Sequence, residues 1–258
     1  MIYRERLSHL ISYFDIKYQN FRADHNYSFF EQTSTFSNES VAKTLLSIKD
    51  QSYDYVFEYL KNHKYSNLYN AFSGSGRLIR ELNSNGMIDC FQNIYNIDNS
   101  INMINFEKKI FSNYHNVNCI CENFLSQKAF IDYNSLLICH SGLRYVENNF
   151  VELVNKLLTF SSYNNDCIIS ETSISIINLF ITELGRQKAH YSCYEKEVTV
   201  HRNTRLYYAF LLFNDDFHFK KDILYLSKTY NIGIPDIMID ISGFKKVKQF
   251  LIHISNVR

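Results

Sequence analysis

Tryptophan is absent from the 258 residues, proline occurs once and glycine seven times. With so few of the usual chain breakers, loops must be built from Asn, Ser and Asp, whose side chains bond their own backbone. Neither sign of charge dominates: 27 basic residues face 26 acidic ones, for a net charge of +1. Nucleic-acid binders show a basic excess or a basic stripe. The one local excess here, Lys245, Lys246 and Lys248, reads as a solvated face. Nucleic acid is therefore not an expected partner. No stretch supplies the roughly 18 continuous apolar residues of a membrane span. The opening MIYRERLSHLISYF is charged from the start, unlike a signal peptide. The expectation is a cytoplasmic protein with no membrane partner. The six cysteines, at 90, 119, 121, 139, 167 and 193, form no CxxC pair and fit no common zinc spacing. Several lie in apolar runs, so they read as buried free thiols, and no metal is expected.

What is present is a large apolar fraction, 46%, including 20 Tyr and 21 Phe. That suffices for one large domain with an appended cap. Residues 1–62 read as a helical cap. Leu7, Leu10, Ile11 and Phe14 recur at helical spacing, as do Val41, Leu45 and Ile48, then Tyr53, Val56, Phe57 and Leu60. The aromatic stretch Phe21 to Phe30 has no period and reads as a loop. From about residue 65, short strand-like runs alternate with helical ones. Strands are expected at Asn67–Phe72, Gln92–Ile97, Val117–Cys121, Ser135–His140 and Asp166–Glu171. Helices are expected at Arg77–Ser84, Ile101–Tyr114, Asn149–Phe160 and about 174–186. Such alternation implies βαβ units and a parallel sheet. The apolar run Leu136 to Cys139 suits a central strand covered on both faces. Residues 187–235 read as a cap insert, in which Thr204–Phe213 is strand or helix. There Asp222–Tyr230 is helical and leads into a Gly233-Ile234-Pro235-Asp236 turn. Two strand-like runs, Gly243–Val247 and Phe250–Ile254, close the chain. The last strand, about 249–254, is expected to run antiparallel, because its connection is too short for a crossover helix.

One constellation carries chemistry. Residues Leu68 to Ile79 read as strand, Ser73-Gly74-Ser75-Gly76 turn, then helix. Glycine lets backbone approach a ligand and take positive φ, and a helix start offers free N–H groups. The bland reading is a turn that is glycine-rich only to pack tightly. Asp98 ends the next strand, roughly 20 residues after the glycines, where an acid can accept ribose hydroxyls. Its bland reading is a cap for the helix starting near Ser100, a role open to Asp98 or Asn99.

Glycine turn and acid together resemble the class I S-adenosylmethionine-dependent methyltransferases, over about residues 65–172. The resemblance implies a doubly wound, mostly parallel seven-stranded α/β sheet. Its last strand would be antiparallel, and residues 63–258 would form the Rossmann-like domain behind the N-terminal cap. The family's first motif, an acid and three alternating glycines, falls on Asn70, Phe72, Gly74 and Gly76, with Ser73 inside the turn. The resemblance further assigns cofactor contacts to Asp98, Asn99, Met103, Asn123, Phe124 and His140. Three positions depart from the pattern: Asn70 and Asn123 replace acids, and Phe72 replaces a glycine. A nicotinamide dinucleotide site, the rival reading, wants a further glycine where Ile79 stands.

The reaction implied is methyl transfer from S-adenosylmethionine to a small-molecule acceptor. His140, at the end of the fourth strand, is the candidate base, with Tyr145 beside it and Glu171 a weaker candidate. The cap and the insert supply candidate substrate contacts, His25, Tyr27, Tyr191 and Arg205, whose bland reading is packing. Two alternatives stay open. One is attack at another carbon of the sulfonium, releasing methylthioadenosine. The other is a non-catalytic cofactor-binding subunit, which Phe72 favours. A homodimer is compatible with all of them.

Overall fold

The computed structural model describes residues 2–24, 39–126 and 132–255. The chain divides into two compact units, and the division does not follow residue 62. One unit comprises Gln51–Val198 and Lys246–Arg258; the other comprises Met1–Asp50 and Thr199–Lys245.

The first unit holds the sheet. Its strands are β1 (Asn67–Ala71), β2 (Asn93–Asp98), β3 (Val117–Cys121), β4 (Ser135–His140), β5 (Asp166–Glu171), β6 (Tyr191–His201) and β7 (Phe244–Ile254), the last two running on into the other unit. They stand in the order β3-β2-β1-β4-β5-β7-β6. Strands β1 to β5 pair in parallel, and β7 pairs antiparallel with β5. This is the sheet that the resemblance implies. Strand β1 is buried at all five positions, and β4 at all but His140, so the centre of the sheet is covered on both faces. The helices of this unit are α3 (Asp54–Leu60), α4 (Arg77–Ser84), α5 (Ile101–Ile110), α6 (Phe150–Ser162) and α7 (Ile174–Arg186). One side of the core packs Leu153, Leu157 and Phe160 of α6 and Phe180 of α7 onto Leu137, Cys139, Ile169 and Ile252.

The other unit is helical. It gathers α1 (Ile2–Asp24), α2 (Glu39–Ser47), α8 (Asn203–Asp215), α9 (Phe217–Tyr230) and α10 (Ile234–Ser242). Phe14, Ile48, Leu206, Tyr208, Phe219, Ile223 and Met238 share its buried cluster. Residues 1–50 of the expected cap and much of the expected insert thus form one body. The ambiguous Thr204–Phe213 run lies in α8.

Several expectations are corrected. Residues 191–201 are a sheet strand and not insert. Strand β6 lies at the sheet's edge with mostly exposed or half-exposed side chains, so it carries no buried apolar run to announce it. Pro235 stands in the first turn of α10, where a missing N–H costs nothing, so the anticipated turn is a helix start. The two C-terminal runs are one strand. Gln249, which stands between the two runs, is buried, and its amide donates to Ser52 O and Ser170 Oγ, both at 2.8 Å. The Ser52 bond also ties the segment before α3 to the sheet, which is why the third helix belongs there. Only Cys139 and Cys167 are buried thiols; Cys90, Cys121 and Cys193 are exposed.

Candidate functional site

In the order β3-β2-β1-β4-β5, the connections turn one way from β1 to β3, then return to place β4 beside β1. The crevice at the carboxyl ends of β1 and β4 is the topological switch point, where open α/β sheets bind ligands. Ala71 and Cys139 are register partners there. The β1–α4 turn and the Ser141-Gly142 turn after β4 flank the crevice.

The β1–α4 turn alternates into the left-handed region: Phe72 has φ +58°, Gly74 +59° and Gly76 +74°. Those are the three positions at which the family pattern places glycine. Gly76 is the residue before α4, and its N–H bonds Ser73 O at 3.1 Å. A Cβ at Gly76 would lie 2.4 Å from the Phe111 ring and 3.2 Å from Glu107 Cγ. This glycine is needed for the packing of the turn on α5. Tight packing thus accounts for a glycine at Gly76.

The Gly74 N–H donates to Asp98 Oδ2 at 2.9 Å, and the Ser100 N–H donates to Oδ1 at 2.8 Å. The capping role goes to Ser100, whose Oγ accepts from Met103 N at 3.4 Å. Beyond these backbone bonds the Asp98 carboxylate keeps acceptor capacity for a ribose hydroxyl. Burial raises the Asp98 pKa, against the lowering effect of the backbone N–H groups of Ser100, Gly74 and Asn99.

Below the turn lies a polar chain that the motif did not reveal. Asn70 Nδ2 donates to Asn96 Oδ1 at 2.8 Å, and Asn96 Nδ2 donates to Glu107 Oε2 at 3.0 Å. Ser73 Oγ donates to Glu107 Oε1 at 2.7 Å. Asn70 thus faces a buried network within the sheet unit. Glu107 is fully buried, and burial pushes its pKa up to about 8 despite the Ser73 and Asn96 bonds. The only signal in the sequence was a glutamate among the apolar positions of α5.

The remaining residues divide. The half-buried Phe72 ring meets Phe124 at 5.7 Å between centroids and lies where a Cβ on Gly142 would be 2.3 Å away. It therefore spans the crevice between the two turns. Phe124 is buried, with Lys156 Nζ 4.8 Å from its ring, and Met103 is buried on α5. Asn99 is exposed, and so is Asn123, whose Oδ1 accepts from the Leu125 N–H at 3.0 Å. The His140 ring stacks on Tyr53 at 4.2 Å, and its Nδ1 lies 3.4 Å from the Tyr55 hydroxyl. Burial, then the neighbouring Tyr53, raises the Tyr55 pKa well above its ordinary value. Tyr145 is on a surface turn, 56% exposed. Glu171 is buried and accepts from Arg144 Nη2 at 3.1 Å.

His25 and Tyr27 lie outside the described residues. Arg205 lies within the helical unit, where its guanidinium bonds Asp15 and sits 5.0 Å from the Phe14 ring centre. That ion pair and ring contact explain its place in α8. Tyr191 begins the edge strand β6.

No protein-family model and no curated protein matches the sequence. Solved structures do. The chain is similar to the YcgJ protein of Bacillus subtilis, with TM-score 0.51 and 9% identity, over 81% of this chain and 99% of that one. It is also similar to the N-methyltransferase NodS of Bradyrhizobium japonicum in complex with S-adenosyl-L-homocysteine: TM-score 0.47, 8% identity, 86% and 100% covered. A third likeness is to the precorrin-6y C5,15-methyltransferase of Geobacter metallireducens: TM-score 0.45, 8% identity, 79% and 86% covered. At 9% identity the YcgJ likeness establishes the fold and nothing finer. Among the described residues no helix is long and apolar enough to cross a membrane.

Proposed function

We propose that the chain binds S-adenosylmethionine at the carboxyl ends of β1, β2 and β4 and is a methyltransferase acting on a small-molecule acceptor. The observation that carries this reading is the bond from the Gly74 N–H to Asp98. It joins the left-handed turn to the β2 acid at the switch point, the two parts a nucleoside with an amino-acid tail requires. The residues fit such a ligand at the ribose end, where Asp98 retains acceptor capacity. They fit more tightly at the turn, where Phe72 takes the backbone form of the missing glycine but adds a ring.

The cofactor, when bound, supplies a methyl group already activated on a sulfonium, so the protein's main task is alignment. Asp98 would hold the ribose, and Gly74 with its neighbours the amino-acid end. His140, steadied by Tyr53 and Tyr55, would border the methyl and could take a proton from a hydroxyl or ammonium acceptor. The near-neutral charge supports a small acceptor over nucleic acid.

The test is calorimetry with S-adenosylhomocysteine, for which a micromolar Kd, about −8 kcal/mol, is expected. Absence of binding by the folded protein would remove the proposal. The Phe72 ring across the crevice favours a second reading, a cofactor-binding subunit without turnover. Incubation with S-adenosylmethionine and mixed amine, hydroxyl and RNA acceptors separates the readings. Homocysteine-type product marks methyl transfer, methylthioadenosine marks attack at another carbon, and binding without either product marks the silent subunit.

A further inference from the structure

We infer that Glu107 is the positioning residue of the ligand turn, setting which way the Ser73 hydroxyl points. The inference rests on the cofactor reading of that turn. An ionised carboxylate only accepts hydrogen bonds. With Glu107 ionised, the Ser73 O–H must point down to Oε1, across the 2.7 Å observed. With Glu107 neutral, the carboxyl proton sits on Oε1 and donates to Ser73 Oγ. The Ser73 proton is then released toward the crevice, where it can meet an acceptor atom of the ligand.

The other half of the network cannot adapt in its place. Asn96 gives its Nδ2 to Glu107 Oε2, and its Oδ1 already accepts from Asn70. Rotating the Asn96 amide would break both bonds. The Cys119 thiol, which also bonds Glu107, is only a weak acceptor, so the proton on Glu107 is placed on the Ser73 side. The charged and titratable groups facing Glu107 from the packed strands are Asp98 on β2 and Cys119 on β3. The Asp98 charge and the burial act together to favour the neutral form, and the pKa of about 8 puts the change within reach of experiment.

The structure thereby supplies a carboxyl group from α5, beneath the turn, where β1 carries Asn70 one residue before its end. Ligand binding is tuned by the proton that this group holds. If only the neutral form is competent, the apparent Kd scales with the inverse of the neutral fraction. Affinity is then full below about pH 7 and falls about tenfold by pH 9.

The experiment is calorimetry of the full chain with S-adenosylhomocysteine from pH 6.5 to 9. It is run for wild type, Glu107→Gln and Ser73→Ala. In Glu107→Gln the amide nitrogen donates to Ser73 and the amide oxygen accepts from Asn96, which imitates the neutral acid. Relative to that variant, wild type is expected to lose about tenfold in affinity between pH 7 and 9. The two should coincide at pH 6.5. Ser73→Ala should bind weakly with no such difference. Parallel profiles for wild type and Glu107→Gln would overturn the inference. The ligand-free amide resonances of Ser73 and Gly74 give the independent readout. They should titrate with a midpoint near the Glu107 pKa of about 8 in wild type and stay flat in Glu107→Gln. If wild type binds no S-adenosylhomocysteine, the cofactor reading fails, and the absence or presence of that amide step alone decides Glu107.

Discussion

Gly76→Ala should destabilise the protein by about 1–4.5 kcal/mol, with about 3 as the centre. At φ +74°, an alanine takes the left-handed form, which costs about 1–2 kcal/mol. Its Cβ would lie 2.4 Å from Phe111 Cε2, a contact that forces α5 or the ring to shift. Overpacking of this kind costs about 1–3 kcal/mol. The smaller entropy of the unfolded alanine chain returns about 0.4–1 kcal/mol. Gly86 provides the control. Its φ is +66°, but a Cβ there meets nothing within 4 Å, so Gly86→Ala should cost only the backbone strain, about 1 kcal/mol. Urea unfolding at neutral pH measures both, by the shift in midpoint at constant slope. Repeating Gly76→Ala in a Phe111→Leu background removes the ring that the new methyl would strike. A coupling of at least about 1 kcal/mol in favour of the double variant is then expected. Equal losses at Gly76 and Gly86, or additivity with Phe111→Leu, would refute the packing argument and return Gly76 to the ligand.

Other perturbations separate the roles around it. Asp98→Ala should weaken S-adenosylhomocysteine binding by more than about 1.5 kcal/mol in calorimetry, because charge-assisted hydroxyl contacts are lost; unchanged affinity would place the ribose elsewhere. Phe72→Gly should tighten binding of the same ligand by clearing the crevice, and equal or weaker binding would show that the ring forms a wall of the site. Stability should depend on pH through Glu107, whose pKa rises from an ordinary 4.5 to about 8 on folding. Its contribution is full below pH 4.5 and is lost as pH rises to about 8. Wild type should therefore fall relative to Glu107→Gln by up to about 1.4 kcal/mol per pH unit in that window, read from urea midpoints. A constant difference would contradict the burial of an ionisable group there.

Buried parallel strands were the legible part of the sequence. Asn67–Ala71, Ser135–His140 and Asp166–Glu171 announce themselves because both faces are covered, so nearly every residue must be apolar or paired. Edge elements obey no such demand. Strand β6 carries Glu195, Lys196 and Glu197 in succession, none of them buried, and Lys196, Glu195 and Lys246 bond other charges at the surface. Its sequence reads like a loop because solvent satisfies what a partner strand would. Gln249 misled for the opposite reason. It is a polar residue in a buried strand, and only the distant Ser52 carbonyl and Ser170 hydroxyl make it tolerable there. The two partners lie 197 and 79 residues away along the chain, beyond any local pattern.

The candidate site divides along the same line, between what backbone geometry requires and what side chains exchange. The family resemblance set its three glycine positions on Phe72, Gly74 and Gly76, and all three adopt the left-handed form, the phenylalanine included. A non-glycine residue pays strain to do so, so the turn's shape is held by something other than residue preference. The structure shows by what: Asp98 grips the Gly74 N–H, Ser73 is tied to Glu107, and the Phe72 ring seats on Gly142, a residue with no Cβ to obstruct it. The glycine expected at 72 has in effect its counterpart across the crevice at 142. Such an exchange preserves the backbone path while changing what lies inside it. Spacing could therefore locate the turn, but the fit of a ligand within it depends on a ring and a glycine 70 residues apart in the chain.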